Sequence, residues 1–177
     1  MASQDDEFTR LFNDFYPSLC RFLECLLGGG AALAQDIAQE SFLQLHRTAW
    51  NTIPTAEARF WLYRVARNFA LNEFRKNNTR HRLFERVVDV MSQRSSNPEE
   101  EYEKHEKEQL LLNMLLDLPE HQRSALLLRE HEQLSYREIA VVLEVSESKV
   151  KIDIHRARIA LRQHWIVQSK SHGAGNS

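Results

Sequence analysis

The stretch LSYREIAVVLEVSESKVKIDIHRARIAL (Leu134–Leu161) has the pattern of two short helices joined by a tight turn. Ser135 and Glu138 are spaced as a capping box, in which each side chain bonds the other residue's backbone amide, so a helix is predicted to begin here. The predicted turn follows at 144–146, and Ser146 is expected to cap the second helix. Apolar residues at three- and four-residue spacing predict a buried face on each helix: Ile139, Ala140, Leu143, Val150, Ile154 and Ala157.

The second helix of this pair keeps its polar and basic residues on the side away from that predicted core. A helix-turn-helix places the first residues of its second helix against base edges in the major groove, where Lys and Arg suit guanine and phosphate. The pattern alone also fits a helical hairpin in an ordinary bundle. The residues predicted to lie outside are Lys149, Lys151, Ile152, His155, Arg156 and Arg158.

A second basic segment, RFWLYRVARNFALNEFRK at 59–76, interleaves five aromatic residues with five Arg or Lys. Proteins that bind single-stranded DNA combine rings that stack on bases with cations that meet phosphates. Helical spacing favours a core position for most of these rings. We expect Tyr63, or one of Phe60 and Trp61, to be the exposed exception.

The composition and patterning of the whole chain predict an all-α protein of two small helical domains joined by a flexible linker. Only five Gly and four Pro occur in 177 residues, and helical periodicity dominates both halves. The predicted boundaries are 1–86 for the first domain, 87–108 for the charged linker, 109–166 for the second domain and 167–177 for a disordered tail. The basic blocks at 59–86 and 145–166 predict two nucleic-acid contacts, although solvated helix faces would give the same charges.

Several classes of function are disfavoured by what the sequence contains. It has no phosphate-binding Gly-rich loop, nucleophile signature or metal-ligand spacing, so we expect no enzyme, no cofactor and no metal. Cys20 and Cys25 are expected to be reduced thiols. The N-terminus is acidic and no apolar run reaches membrane-spanning length, which predicts a cytoplasmic protein.

Three segments together resemble the extracytoplasmic-function (ECF) group of bacterial sigma factors. They are DIAQESFLQLHRTAW (36–50), ARFWLYRVARNFALNEFRK (58–76) and LPEHQRSALLLREHEQLSYREIAVVLEVSESKVKIDIHRARIALR (118–162). The resemblance implies that the two domains are sigma regions 2 and 4, which bind core RNA polymerase and promoter DNA. Members of the family are commonly held inactive by an anti-sigma factor, often membrane-anchored, so such a partner is expected.

The resemblance also implies roles for individual residues. Polymerase binding is expected at Asp36, Gln39, Glu40 and Phe42. Recognition and melting of the minus-ten element are expected at Asn51, Phe60, Trp61, Tyr63, Arg64, Asn68, Arg75 and Lys76. Reading of the minus-thirty-five element is expected at Ser148, Lys149, Lys151, Ile152, His155, Arg156 and Arg158.

Two positions depart from the family pattern. Glu144 stands in the turn where many members have Gly, and Ile152-Asp153 replaces a frequent Ser-Arg pair. Asp153 would repel phosphate if it faced DNA, so no minus-thirty-five sequence is carried over.

Two other classes of function stay open. An autonomous helix-turn-helix regulator would bind duplex DNA without polymerase, and a helical adaptor would bind no DNA. The N-terminal half discriminates a sigma factor from the autonomous regulator, because a repressor or activator needs neither the 36–42 surface nor the aromatic basic helix.

Overall fold

A computed structural model describes residues 4–81 and 98–173, with side chains at 5–76 and 106–166. Within these ranges the chain forms seven α-helices, one π-helical turn and no strand, which confirms the all-α prediction. None of the described helices is long and apolar enough to cross a membrane. The helices are α1 (Gln4–Leu27), α2 (Ala31–Gln44), α3 (Thr55–His81), α4 (Pro98–Leu116), α5 (Glu120–Glu130), α6 (Tyr136–Leu143) and α7 (Glu147–Gly173), and the π-helical turn Leu45–Ala49 extends α2.

Helices α1, α2 and α3 form the N-terminal bundle. Three consecutive glycines end α1 and start α2 with positive φ angles, which residues with a β-carbon adopt only at a cost in energy. The apolar face of α1 predicted by periodicity is buried against α2 and α3, with Leu19, Phe22, Leu23 and Leu26 fully inaccessible. An aromatic cluster closes one end of the bundle, with ring contacts among Phe8, Phe12, Tyr16, Phe42 and Trp50.

Helices α4 to α7 form the C-terminal bundle, in which α6 and α7 make the predicted helix-turn-helix. The capping box is present: the Glu138 amide donates to the Ser135 hydroxyl at 3.2 Å, and the Ser135 amide donates to the Glu138 carboxylate at 2.7 Å. Ser146 accepts from the Lys149 amide at 3.2 Å and caps α7 as predicted. The predicted inward residues Val150, Ile154 and Ala157 are buried.

Two helices extend into segments that the sequence pattern predicts to lack regular structure. Helix α4 begins at Pro98, inside the predicted 87–108 linker, and α7 continues to Gly173, inside the predicted disordered tail at 167–177. Proline suits the first turn of a helix, and the Glu, Lys and Gln that follow have high helix propensity even without an apolar stripe. The remainder of both predicted segments, 82–97 and 174–177, lies outside the described residues.

The two bundles are in contact with one another. Helix α3 packs on α6, and α1 packs on α4 and α5. At Gly28 the approach is so close that an added β-carbon would fall 2.3 Å from a methyl carbon of Leu116. The predicted DNA-binding segments of the two halves are therefore neighbours in this structure.

Candidate polymerase and nucleic-acid interfaces

The predicted polymerase surface lies on α2. Asp36, Gln39 and Glu40 occur at three- and four-residue spacing, so they share one helix face, and all three are exposed. Phe42 is not on this surface. It is 2% exposed and packs against Phe12, with ring centroids 4.9 Å apart. Its place on the apolar stripe of α2 was visible in the sequence and indicates a core position.

Two grooves flank the exposed face of α2. Between α1 and α2, a groove is lined by Phe8, Phe12, Gln39 and His46, together with Leu43. Leu43 is 47% exposed and is the apolar side chain that α2 presents to solvent in place of Phe42. The groove between α2 and α3 has acidic and basic walls, with Asp36 and Glu40 from α2 and Arg75 and Lys76 from α3.

Helix α3 divides the predicted minus-ten residues between two environments. Asn68, Arg75 and Lys76 are exposed, as is Asn51 in the preceding connector. The rings of Phe60 and Trp61 are half-buried and pack against the core while keeping part of their surface accessible.

Arg64 is the member of this set that contacts the helix-turn-helix. Its Nη2 donates to the Val141 carbonyl at 2.9 Å, and its Nη1 lies 3.3 Å from a carboxylate oxygen of Glu144. Its cationic head is thus engaged by the C-terminal bundle in this arrangement.

Tyr63 is buried, so among the three rings considered for exposure on α3 it is Phe60 and Trp61 that keep accessible surface. Tyr63 has no accessible surface, and its ring meets that of Phe22 edge-on at 5.3 Å between centroids. Its hydroxyl lies 3.0 Å from Ser18 Oγ and donates to the Glu132 carboxylate. Burial, followed by the negative charge of Glu132, raises the pKa of Tyr63 well above its ordinary value and keeps the hydroxyl protonated. Local periodicity could not reveal this position, because its partner Glu132 is distant in sequence.

Helix α7 presents all seven predicted minus-thirty-five residues to solvent. Three of them have partners within the C-terminal bundle: the Lys149 ammonium binds Asp153, the Lys151 ammonium lies 5.6 Å from the centre of the Tyr136 ring, and Arg158 pairs with Glu130. The other four, Ser148, Ile152, His155 and Arg156, project from the same exposed side of the helix.

The two departures from the family pattern each have a structural explanation. Asp153 is 2% exposed and faces inward, where Lys149 Nζ donates to its oxygens at 2.8 and 3.1 Å and His121 Nε2 lies at 3.6 Å. Its charge is therefore compensated within the C-terminal bundle. Glu144 has φ +56°, the left-handed conformation that explains why glycine is frequent at this position.

The part of the chain with described side chains contains no cluster of His, Cys, Asp and Glu arranged to hold a metal ion. Cys20 and Cys25 are both free thiols, and burial raises the pKa of each. They are less reactive than exposed thiolates for that reason.

Comparisons with known proteins match both halves of the chain. The family models for sigma-70 region 2 and for sigma-70 region 4 match residues 11–80 and 108–161 respectively. The RNA polymerase sigma factor YlaC of Bacillus subtilis is 31% identical over 133 residues, which cover 74% of this chain and 76% of YlaC. The sigma-H factor of Pseudomonas aeruginosa is 34% identical over 141 residues, covering 72% and 70%. The ECF sigma factor SigW of Bacillus subtilis is 29% identical over 143 residues, covering 76% of both.

Two solved structures share the fold over most of the chain. One is the sigma factor RpoE in complex with the anti-sigma factor NepR from Bartonella quintana, with a TM-score of 0.69, 21% identity, and coverage of 90% of this chain and 97% of that one. The other is CnrH in complex with the cytosolic domain of CnrY, with a TM-score of 0.68, 20% identity, and coverage of 90% and 88%. With both region models matched and relatives above 30% identity over more than two thirds of its length, the chain belongs to the ECF group of RNA polymerase sigma factors.

Proposed function

We propose that this sigma factor binds core RNA polymerase through the exposed face of α2 and directs it to promoters with α3 and α7. It acts as a transcription initiation factor rather than as an enzyme. The observation that carries the proposal is the outer face of α7. Seven candidate residues are exposed there next to the capped α6, while the carboxylate of Asp153 is buried on the inner side of α7.

The residues of α7 fit a role in the major groove. Arg156 and Lys151 supply cations for guanine edges or phosphates, and His155 lies between them on the exposed side. Ile152 is 50% exposed, and an apolar side chain in that position suits contact with a thymine methyl group. Lys149 and Arg158 are tied to carboxylates of their own bundle, which supports a positioning role for them at the edge of this face.

The N-terminal bundle supplies the features that an autonomous regulator does not need. Asp36, Gln39 and Glu40 form a polar face for polymerase docking, which Phe42 supports from inside the bundle. Asn51, Asn68, Arg75 and Lys76 are the accessible minus-ten candidates, and the half-buried Phe60 and Trp61 lie near the start of the same helix. Tyr63 packs in the core in this arrangement, so we do not expect its ring to stack on a base.

We also propose that an anti-sigma factor controls this protein. Two solved structures that share its fold over 90% of the chain are complexes, one of the sigma factor RpoE with the anti-sigma factor NepR and one of CnrH with the cytosolic domain of CnrY. This similarity supports an anti-sigma factor as a protein partner of this chain.

Co-elution with core RNA polymerase on a sizing column tests the proposal. We expect the wild-type protein to co-elute and Asp36→Arg to run alone while keeping its helical circular dichroism. Gln35→Arg is the matched control, because it adds the same side chain to α2 about 100° around the helix axis. Continued co-elution of Asp36→Arg would reject the α2 surface. A folded wild-type protein that runs alone would favour the autonomous DNA-binding regulator.

A further inference from the structure

The carboxylate of Asp153 has a hydrogen-bond donor from its own helix. The Asp153 side chain is 2% exposed and faces the inner side of α7, and Lys149 Nζ donates to its two oxygens at 2.8 and 3.1 Å. His121 Nε2 lies 3.6 Å from Asp153 Oδ1, which is beyond hydrogen-bonding distance. Among the described side chains, Lys149 therefore supplies the hydrogen bonds on which this buried charge depends.

Helix energetics alone do not account for the pair of Lys149 and Asp153. Helix α7 begins at Glu147, so Lys149 lies in the first turn, where the positive end of the helix dipole disfavours a cation. A basic residue that precedes an acidic one by four positions is also the less favourable order of such a pair. The pair is explained instead by the burial of Asp153, because a carboxylate that leaves water needs a charged partner.

Lys149 cannot serve Asp153 and a DNA phosphate at the same time. Its side chain is 48% exposed, but the ammonium group lies against a carboxylate that solvent barely reaches. Movement of the ammonium group to a phosphate would leave Asp153 buried without a hydrogen bond from the described residues. Loss of one partner from a buried ion pair destabilises a protein more than a single exposed ionic contact stabilises a complex. We therefore expect Lys149 to stay on Asp153 when α7 meets DNA.

The position of Lys149 on α7 identifies the DNA contact that this pairing removes. At about 100° per residue, Ser148, Ile152 and His155 occupy the middle of the outer side of the helix. Lys149 lies on one flank, close in angle to Arg156. A helix in the major groove turns its middle towards base edges, and its flanks lie nearest the phosphates that border the groove. A released Lys149 would therefore add a phosphate contact, which carries no sequence information.

We propose that Asp153 is a positioning residue that withholds Lys149 from the DNA backbone. The inference rests on the proposed function in one respect, namely that α7 binds promoter DNA. Phosphate contacts strengthen binding to promoter and non-promoter DNA alike, whereas base contacts strengthen binding to the promoter. By removing one phosphate contact, Asp153 lowers the affinity of the reading helix for DNA of any sequence. Recognition by α7 then depends more heavily on the side chains that face base edges.

The salt dependence of promoter binding by the reconstituted holoenzyme tests the proposal. The probe is a duplex that the wild-type holoenzyme has selected from a library of random sequences. Asp153→Asn keeps the size of the side chain and removes its charge, so Lys149 is released. The variant should bind the probe more tightly than wild type, and its plot of log affinity against log salt should be steeper by about 0.9. Its advantage in affinity should consequently shrink about threefold between about 50 and 200 mM salt.

Two controls separate the release of Lys149 from the change in net charge. Asp153→Asn introduced into Lys149→Ala should leave the salt slope unchanged, because no lysine remains to be released. Glu147→Gln makes the same charge change in the first turn of α7 and leaves the pair in place, so it should keep the wild-type slope. A wild-type slope in Asp153→Asn would overturn the proposal. A slope that steepens equally in Glu147→Gln or in the Lys149→Ala background would also overturn it, because charge alone would then explain the effect.

Lys149→Ala approaches the same pair from its other member and does not depend on the folding of Asp153→Asn. If Lys149 is withheld in the wild-type protein, this variant should keep the wild-type salt slope, and a slope shallower by about 0.9 would overturn the proposal. Lys149→Ala should also lower the thermal unfolding midpoint of the free protein, because the buried carboxylate loses its donor. Addition of Asp153→Asn should recover part of that loss, since both charges are then removed. A midpoint that does not recover would show that the two side chains are not paired.

The measurements distinguish failure of the inference from failure of the proposed function. The thermal midpoints involve no DNA, so they test the pair independently of promoter recognition. Lys151→Ala is the reference for a lysine that contacts DNA. If Lys151→Ala and Arg156→Ala both leave promoter binding unchanged, the proposed function of α7 is wrong. If they weaken promoter binding while Asp153→Asn keeps the wild-type salt slope, the proposed function stands and the withholding of Lys149 is wrong.

Discussion

The replacement Tyr63→Phe separates a structural role for this residue from a role in DNA binding. It removes one oxygen and keeps the ring, so the edge-on contact with Phe22 survives. The lost hydroxyl is the donor to Glu132, whose side chain is 4% exposed. The Ser18 hydroxyl keeps its hydrogen bond to the Phe15 carbonyl at 3.1 Å, so the loss falls mainly on the carboxylate.

The size of the effect follows from what the carboxylate retains. A hydrogen bond to a charged group contributes about 1.5–3 kcal/mol to stability. Because the Glu132 carboxylate is buried, we expect the loss of this hydrogen bond to fall within that range. Arg59 is 3.8 Å from the Glu132 oxygen, too far to substitute as a hydrogen-bond donor, and His131 already occupies the other oxygen. We expect the variant to lose about 2 kcal/mol of the free energy of unfolding. At a typical urea dependence, this lowers the midpoint by about 1 M.

Urea unfolding followed by circular dichroism measures the change, with Tyr16→Phe as control. The hydroxyl of Tyr16 lies near the surface and receives a 3.4 Å hydrogen bond from Gln39, so its removal should change stability by less than about 0.5 kcal/mol. When the Tyr63→Phe variant is folded and present at a saturating concentration, transcription from the promoter should stay near the wild-type level. An unchanged urea midpoint combined with lost promoter activity would refute the structural role and return Tyr63 to the DNA-contacting set.

The remaining predictions concern the helix-turn-helix. Lys151→Ala and Arg156→Ala should each weaken promoter binding by the holoenzyme by about 1–3 kcal/mol, measured as the promoter dissociation constant; unchanged binding in both would mean that α7 is not the reading helix. Glu144→Gly should raise the thermal unfolding midpoint, because glycine adopts the left-handed conformation of Glu144 without strain. We expect a gain of about 1 kcal/mol in the free energy of unfolding, and a lower midpoint would contradict this explanation. Hydrogen bonds with the amide and hydroxyl of Ser135 lower the pKa of Glu138. The stability that ionised Glu138 contributes to the protein is therefore complete above the ordinary Glu pKa and is lost as pH falls through the lowered pKa. In Glu138→Gln the free energy of unfolding should therefore depend less on pH on the acid side. An unchanged pH dependence would show that the Glu138 carboxylate does not contribute to it.

The helix-turn-helix could be predicted from sequence because its determinants are local. Ser135 and Glu138 are three residues apart, Ser146 caps the helix that it precedes, and the buried positions follow one period. Each interaction acts within a single helical turn, which is the range that a spacing pattern can report. The all-α fold follows from the same local information, repeated along both halves of the chain.

Tyr63 and Asp153 depend on partners that are remote in sequence or on a neighbouring turn. Tyr63 is fixed by Glu132, and no period within α3 distinguishes it from an exposed ring. The charge of Asp153 taken alone would oppose phosphate, whereas Lys149 one turn earlier neutralises it. Helix α4 begins in a charged segment without an apolar stripe, so helix propensity rather than periodicity was the useful signal.

A formal net charge of −2 does not exclude a DNA-binding protein, because affinity depends on which cations are available. In this structure Arg64 and Arg67 are engaged across the interface between the bundles, and Lys149 and Arg158 are engaged within one of them. Some of the acidic residues that lower the net charge are thus the ones that pair with these basic residues.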